Sequence, residues 1–213
     1  AYGELARLVR ERAASLHAAG VRHGDTVALI LPDSADHVIA LYALARVGAI
    51  IFSLPDFVSR RDIEESLASV SVDTVIAPQA KISANATGPE SADGPRPFGR
   101  DLLNIAAEDL LRTGAPPLDA PGIGDDAPLM LLQSSGTTGA PKTFLYSHAD
   151  MFEWVKRYAS AQKWNADDRC LSLNHMSFAI GRNVCMGMLH TGATIVVGHA
   201  DSAEELVRFI QEK

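Results

Sequence analysis

The chain has 213 residues, of which 47% are apolar, so it is long enough to bury a sizeable core. Its formal net charge of −7 argues against a nucleic-acid partner, because an acidic chain repels phosphates. No apolar run approaches the ~20 residues of a membrane-spanning helix, and the N-terminus lacks an apolar signal region. Cys170 and Cys185 are widely spaced, which favours reduced thiols and a cytoplasmic protein.

The first third of the chain alternates predicted helices with predicted strands. Apolar patterning, with glycine and serine at the ends, predicts helices to residue 19, over 34–47 and over 59–70, and strands over 26–31, 49–54 and 73–77. Such alternation is typical of an α/β fold with a mainly parallel sheet and flanking helices.

Two polar stretches, 81–100 and 115–128, flank a predicted helix over 101–113. The second holds Gly122-Ile123-Gly124, a formal match to a dinucleotide fingerprint that fails because a proline-rich loop precedes it and a strand follows. We therefore predict an α/β subdomain over 1–114, a linker over 115–128, and a second unit over 129–213 that begins with a hairpin.

Residues 134–142 read Ser-Ser-Gly-Thr-Thr-Gly-Ala-Pro-Lys and lie between a predicted strand at 129–133 and another at 143–146. Gly136 and Gly139 let the backbone turn its N–H groups toward one anion, and four hydroxyls with the Lys142 ammonium would complete the shell. This predicts a polyphosphate-binding loop on a hairpin. The common Gly-x-x-x-x-Gly-Lys loop is excluded, because Ala140 and Pro141 separate glycine from lysine and a strand follows.

Ser147 predicts the start of a helix reaching about residue 163, whose N-terminus we expect to point back toward the loop and add to anion binding. For His148, a site role and a solvent-facing position both stay open. A strand at 169–173 then leads to Asn174-His175-Met176-Ser177-Phe178-Ala179-Ile180-Gly181, with a helix predicted from Gly181.

His175 follows a strand end, where α/β sheets usually bind ligands, although a lone histidine beside Met and Phe is more commonly a packed residue. No two histidines have ligand spacing, so no metal cage is predicted. The sequence also has no Gly-x-Ser-x-Gly, which disfavours a triad hydrolase.

The nine residues from Ser134 to Lys142 resemble the phosphate-binding signature of the adenylate-forming superfamily, which includes acyl-CoA synthetases, aryl-CoA ligases, luciferases and peptide-synthetase adenylation domains. Thr143 departs from the glycine that the family usually carries there. Tyr2-Gly3-Glu4-Leu5 resembles the first box of that family, residues 31–34 and 48–55 resemble the second, and residues 174–181 resemble the fourth. We interpret the first two boxes as carrying fold rather than chemistry.

The resemblance implies that a carboxylate attacks the α-phosphate of ATP, giving an acyl adenylate and pyrophosphate, and that coenzyme A then captures the acyl group. Lys142 and Thr137 would be catalytic, and Thr138 would lie near Mg²⁺ held through the phosphates. The implied phosphate-binding residues are Ser134, Ser135, Gly136, Thr137, Thr138, Gly139 and Lys142, and the implied acyl-pocket residues are His175, Ser177, Phe178 and Gly181.

Phe178-Ala179 stands where amino-acid adenylation domains carry Phe-Asp, so we expect a small carboxylic acid without an α-ammonium, aromatic or aliphatic. Three hypotheses remain: the front part of an acyl-CoA or aryl-CoA ligase, which we favour, part of a peptide-synthetase adenylation domain, or a non-catalytic remnant that serves as a binding module. Full members of the family are more than twice as long, so we expect this chain alone to be inactive. Homo-oligomerisation of the parent is left open.

Overall fold

The computed structural model describes residues 1–83, 98, 102–112, 122–134, 142–198 and 202–212. The helices of this part are α1 (Tyr2–Ala18), α2 (Ala35–Val47), α3 (Arg60–Ala68), α4 (Gln79–Ser83), α5 (Ala107–Arg112), α6 (His148–Gln162), α7 (Ala179–His190) and α8 (Ala203–Glu212). The strands are β1 (Thr26–Leu29), β2 (Ile50–Ser53), β3 (Thr74–Ala77), β4 (Leu103–Ala106), β5 (Pro128–Ser134), β6 (Lys142–Ser147), β7 (Arg169–Ser172) and β8 (Thr194–Val197).

Six strands form one sheet in the order β4-β3-β1-β2-β5-β6, and β7 pairs with β8 in a second sheet. Every pairing is parallel except that of β5 with β6, which is the antiparallel hairpin. The sequence-based prediction of an α/β fold with a mainly parallel sheet is confirmed.

The central strands of the larger sheet are buried on both faces. In β1, Val27 and Leu29 belong to one apolar cluster, whereas Ala28 belongs to another, because successive strand side chains point to opposite faces. Helices α1 and α2 contribute to the first cluster, and α3 contributes Ile63 and Leu67 to the second. The near-continuous apolar runs of β1, β2 and β3 are therefore those of strands covered on both sides.

The prediction of one helix over 101–113 is wrong in its first half. Residues Leu103–Ala106 form the edge strand β4, parallel to β3 with Ile105 opposite Ile76, and helix α5 begins only at Ala107. A short apolar run is compatible with either element, and here pairing with β3 buries Ile105 and Ala106. Helix α7 likewise begins at Ala179 rather than at Gly181, so Gly181 lies in its first turn.

Candidate functional site

The predicted hairpin is confirmed, and Lys142 lies at its loop end. The antiparallel register pairs Lys142, the first residue of β6, with Ser134, the last residue of β5. The Lys142 side chain is exposed. The other predicted phosphate-binding residues, Ser135, Gly136, Thr137, Thr138 and Gly139, lie outside the described residues, so their roles stay predictions.

The expectation that the N-terminus of α6 adds to this anion site is wrong. Strand β6 runs away from the loop, so Ser147, which caps α6, pairs with Pro128 at the opposite end of the hairpin. Five strand steps separate Lys142 from Ser147, roughly 17 Å. The first N–H groups of α6 instead donate to the carbonyl oxygens of Ala127 and Asp125.

His148 is neither at the anion site nor solvent-facing. Its Nε2 atom is buried and has no hydrogen-bond partner among the described residues, and burial lowers the pKa of the imidazole. The side chain lines an apolar cavity of about 550 Å³ with Leu41, Met130 and Met151. None of the predicted site residues that the structure describes lines this cavity. We therefore place the candidate site elsewhere, on the segment between β7 and α7, where polar groups converge.

Gly181 is fixed by close packing inside that segment. A Cβ atom at this position would overlap the carbonyl groups of Asn174 and His175. The first turn of α7 thus lies directly against the backbone that precedes it, which only glycine permits. This supplies a packing reason for the glycine that we predicted as a pocket residue.

His175 is hydrogen-bonded on both ring nitrogens. Its Nε2 atom is 3.0 Å from Oδ1 of Asp56, and its Nδ1 atom accepts the backbone N–H of Ser177 at 3.2 Å. The next residue, Met176, donates its N–H to Oδ1 of Asp33 at 2.9 Å. The two carboxylates follow β1 and β2, so adjacent strand ends of the main sheet hold the β7–α7 segment.

A line of buried hydroxyl and imidazole groups continues from Ser177 into the main sheet. Oγ of Ser53 donates to Oγ of Ser177 at 3.2 Å and is 3.4 Å from Nε2 of His37. His37 is fully buried, and burial lowers its pKa to about 4, so its imidazole is neutral near neutral pH. We call His37, Ser53, Ser177 and His175, with Asp33 and Asp56, the polar seam.

Exposed aromatic side chains surround the outer end of this seam. The ring of Phe57 is edge-on to His175 at a centroid distance of 5.3 Å, and the ring of Phe178 lies 6.1 Å from His175. Phe57 is 67% exposed and Phe178 is 49% exposed. The seam therefore ends at an open apolar surface on which a flat acyl group could pack.

Sequence reasoning missed Asp33, Asp56 and Phe57 as site residues. The interpretation that the second box carries fold alone is thus incomplete, since Asp33 within it and Asp56 directly after it contact the fourth box. The signal was the sequence Leu-Pro-Asp, which occurs at 31–33 and again at 54–56, each time after one of two neighbouring parallel strands. The carboxyl edge of such a sheet is where α/β proteins bind ligands.

A family model for AMP-binding enzymes matches residues 1–213, the whole of the sequence. The chain belongs to the AMP-binding enzyme family. Among the relatives of this chain, the feruloyl-CoA synthase of Amycolatopsis sp. is 29% identical over 204 residues, which cover 93% of this chain and 39% of the relative. The salicyl-AMP ligase / salicyl-S-ArCP synthetase of Mycobacterium tuberculosis is 29% identical, over 95% of this chain and 38% of the relative.

The fold is that of the N-terminal subdomain of adenylate-forming enzymes. The N-terminal subdomain of Klebsiella oxytoca NpsA, solved in complex with 3-hydroxyanthranilyl-AMSN, superposes with a TM-score of 0.82 at 24% identity. It covers 100% of this chain, and the match spans 51% of the NpsA chain. The chain spans between a third and a half of the length of the two curated relatives.

Within the described ranges, no helix has the length and apolar character needed to cross a membrane. The same residues contain no group of three or more His, Cys, Asp or Glu side chains placed to hold a metal ion. A magnesium ion bound through ATP phosphates needs few protein ligands. Its predicted contact with Thr138 stays a prediction, because Thr138 lies outside the described residues.

Proposed function

We propose that this chain is the front part of an ATP-dependent acid–thiol ligase that activates a carboxylic acid as its acyl adenylate and transfers the acyl group to coenzyme A. The observation that carries the proposal is the AMP-binding enzyme match over residues 1–213. The hairpin supports it, because it presents Lys142 beside Ser134 at the ends of the Ser/Thr/Gly-rich segment.

The chemistry proposed for the hairpin is stabilisation of the leaving pyrophosphate. A carboxylate oxygen attacks the α-phosphorus of ATP, and the bond to the bridging oxygen of pyrophosphate breaks. Loop N–H groups and hydroxyls would hold the β- and γ-phosphates, with Mg²⁺ bridging them, and the Lys142 ammonium would offset the charge that grows on the leaving group. Lys142 and Thr137 are therefore our proposed catalytic residues.

We propose an aromatic acid as the substrate. The feruloyl-CoA and salicyl-AMP enzymes are named for aromatic acids, and Phe57 and Phe178 offer exposed ring faces beside His175. His175, Ser177, Phe178 and Gly181 would form this wall of the acyl pocket.

The structure changes one premise of the argument against α-amino acids. Between residues 169 and 200 the sequence has no acidic residue, yet Asp33 and Asp56 reach His175 from the first half of the chain. Each carboxylate uses its Oδ1 atom to hold the β7–α7 segment, at residue 175 or 176, so a substrate ammonium would have to share a group that already has this structural role. We therefore still propose that α-amino acids are rejected.

Coenzyme A is the proposed thiol acceptor. The Mycobacterium tuberculosis relative is named as a salicyl-S-ArCP synthetase, which supports a carrier-protein thiol as the second candidate. Incubating the full-length protein with a labelled acid, ATP and either thiol separates the two, because only the true acceptor gives a labelled thioester.

The phosphate role of Lys142 is tested in the full-length protein that carries this chain by acid-dependent ATP–pyrophosphate exchange. We expect Lys142→Ala to lower the exchange rate about 100-fold, with the KM of the acid changed less than threefold. The matched control is Lys156→Ala, which removes an exposed lysine on α6 that pairs with Glu153. Exchange by Lys142→Ala within about twofold of the parent would show that the assignment is wrong.

A further inference from the structure

The hydrogen bonds of His175 select one tautomer of its ring. Because Nδ1 accepts the Ser177 N–H at 3.2 Å, this nitrogen carries the lone pair, and the ring proton resides on Nε2. Nε2–H then donates to Oδ1 of Asp56 at 3.0 Å. Two bonds on opposite sides of one ring fix its rotation as well as its proton.

Asp33 and Asp56 have different functions at this ring. Oδ1 of Asp33 accepts the Met176 N–H at 2.9 Å and lies 3.7 Å from Nδ1 of His175, an atom that has no proton to donate in this tautomer. Asp33 therefore holds the backbone of the β7–α7 segment. Asp56 is the carboxylate that holds the imidazole.

The other members of the polar seam, Ser177, Ser53 and His37, support this arrangement from the main sheet. The Ser177 N–H that Nδ1 accepts belongs to a residue whose Oγ is itself held by Ser53, and Ser53 lies against the buried His37. Ser53 is the last residue of β2 and Asp56 lies three residues beyond it, so one strand end supports both sides of the His175 ring.

The ring orientation in turn shapes the exposed aromatic surface. Phe57 follows Asp56 directly, and its ring meets the His175 ring at 86°. Phe178 meets the same ring at 71°. If His175 rotated, both edge-to-face contacts would be lost, and the surface offered to an acyl group would change.

We propose that Asp56 is a positioning residue for the adenylation reaction: by accepting Nε2–H, it fixes the tautomer and rotation of His175 against the acyl group. This inference rests on the proposed function, because it needs His175 to contact the acid. In this proposal Asp56 acts through His175 and needs no contact of its own with the acid or ATP.

The first test reads the tautomer directly in the ¹⁵N-labelled chain by long-range proton–nitrogen NMR of the imidazole at mildly alkaline pH. The parent should show His175 protonated on Nε2 alone. Asp56→Asn keeps an oxygen that can accept Nε2–H and should keep this signature, whereas Asp56→Ala, which leaves only the Ser177 N–H on Nδ1, should lower the Nε2–H population and shift the Nε2 resonance. Asp167→Ala, at an exposed aspartate before β7, is the matched control and should leave the spectrum unchanged. An Nε2–H population and an Nε2 chemical shift in Asp56→Ala equal to those of the parent would overturn the proposal.

The second test uses kinetics of the full-length protein. Asp56→Ala should lower kcat/KM for the acid about 10- to 100-fold, as expected when a contacting group is displaced by about an ångström, while the KM of ATP stays within about twofold. Asp56→Asn should recover to within about threefold of the parent. Because Asp56 acts through His175, adding Asp56→Ala to His175→Ala should cause no further loss, and independent, multiplying losses would overturn the proposal.

The two tests separate failure of this inference from failure of the proposed function. If the full-length protein exchanges pyrophosphate with no carboxylic acid, the proposed function fails, whatever the NMR shows. If exchange is present but Asp56→Ala behaves as the parent, the role of Asp56 fails alone.

Discussion

Two regions of this chain, the polar seam and helix α7, each bury a basic side chain, and the two side chains differ in their hydrogen-bond partners and in their charge. In the polar seam, His37 is fully buried with Ser53 beside its Nε2 atom. On α7, Arg182 is also fully buried, but none of its three guanidinium nitrogens has a hydrogen-bond partner among the described residues. Burial lowers the pKa of His37 to about 4 and that of Arg182 to about 10.

The two buried side chains, His37 and Arg182, differ in their charge at pH 7. A histidine with a pKa of about 4 is neutral at pH 7, whereas an arginine with a pKa of about 10 still carries its charge. A neutral His37 is therefore compatible with burial, although its Nδ1 atom has no partner among the described residues, whereas Arg182 keeps a charge for which those residues offer no acceptor. Burying a charge without an acceptor is strongly unfavourable.

Disrupting the backbone next to the seam should have the largest effect on stability. Gly181→Ala places a methyl group against the carbonyls of Asn174 and His175, and backbone cannot move aside as a flexible side chain would. We expect the free energy of unfolding of this chain to fall by about 3 kcal/mol in urea titration.

The control for Gly181→Ala is Gly3→Ala, a site in α1 with no heavy atom within 4 Å of the added methyl group. It should be neutral, or stabilising by less than about 1 kcal/mol, because alanine favours helix. Equal effects of the two substitutions would show that the close approach at Gly181 is wrong.

The neutral state of His37 predicts acid sensitivity. Its folded-state pKa of about 4 lies below the unfolded value of 6.5, so the unfolded chain takes up a proton first as the pH falls. This contribution to stability is present above pH 6.5 and declines toward pH 4. Between pH 7 and pH 5 the loss of this contribution to the free energy of unfolding should amount to about 2 kcal/mol.

Urea unfolding at the two pH values measures this slope in the parent, in His37→Gln and in His17→Gln, which changes an exposed histidine at the end of α1. His37→Gln should flatten the slope by about 2 kcal/mol, and His17→Gln should keep it. A His37→Gln variant with the full parental slope would contradict a buried neutral His37.

Replacing Arg182, whose guanidinium has no partner among the described residues, should change stability in the opposite direction from replacing a paired arginine. Arg182→Met keeps much of the volume and removes the buried charge, so we expect this chain to gain about 1–2 kcal/mol in the free energy of unfolding. Arg12, which is also buried but pairs with Asp36 at 3.5 Å, provides the comparison. Arg12→Met should lose about 1 kcal/mol. A marked loss in Arg182→Met would mean that the guanidinium has an acceptor.

Much of the fold was predictable because its signals are local. Alternating helices and strands, each ended by glycine or serine, identified the central part of the main sheet, and the strands around residues 134–142 identified the hairpin. The edge strand β4 could not be separated from the helix after it, because only pairing with β3 decides a run as short as Leu103–Ala106. The prediction that the N-terminus of α6 lies near the loop was wrong, since an antiparallel strand of this length always ends far from its loop.

The site was predictable only in part. His175 and Gly181 follow a strand end, and the sequence alone pointed to them. Asp56 lies 119 residues from His175, and Asp33 lies 143 residues from Met176, separations at which local patterns carry no information. The burial of Arg182 is a tertiary outcome of the same kind, since a polar residue in a helical pattern normally faces solvent.

Adenylation of an aromatic acid by the full-length protein is the central claim, and ATP–pyrophosphate exchange across a panel of acids tests it most directly. The panel compares hydroxybenzoates and hydroxycinnamates with fatty acids and the standard α-amino acids, at equal concentration, with this 213-residue chain alone as a second sample. We predict fastest exchange with an aromatic acid, none above background with any α-amino acid, and none by the 213-residue chain alone. Fastest exchange with an α-amino acid, or acid-dependent exchange by the chain alone, would contradict this account.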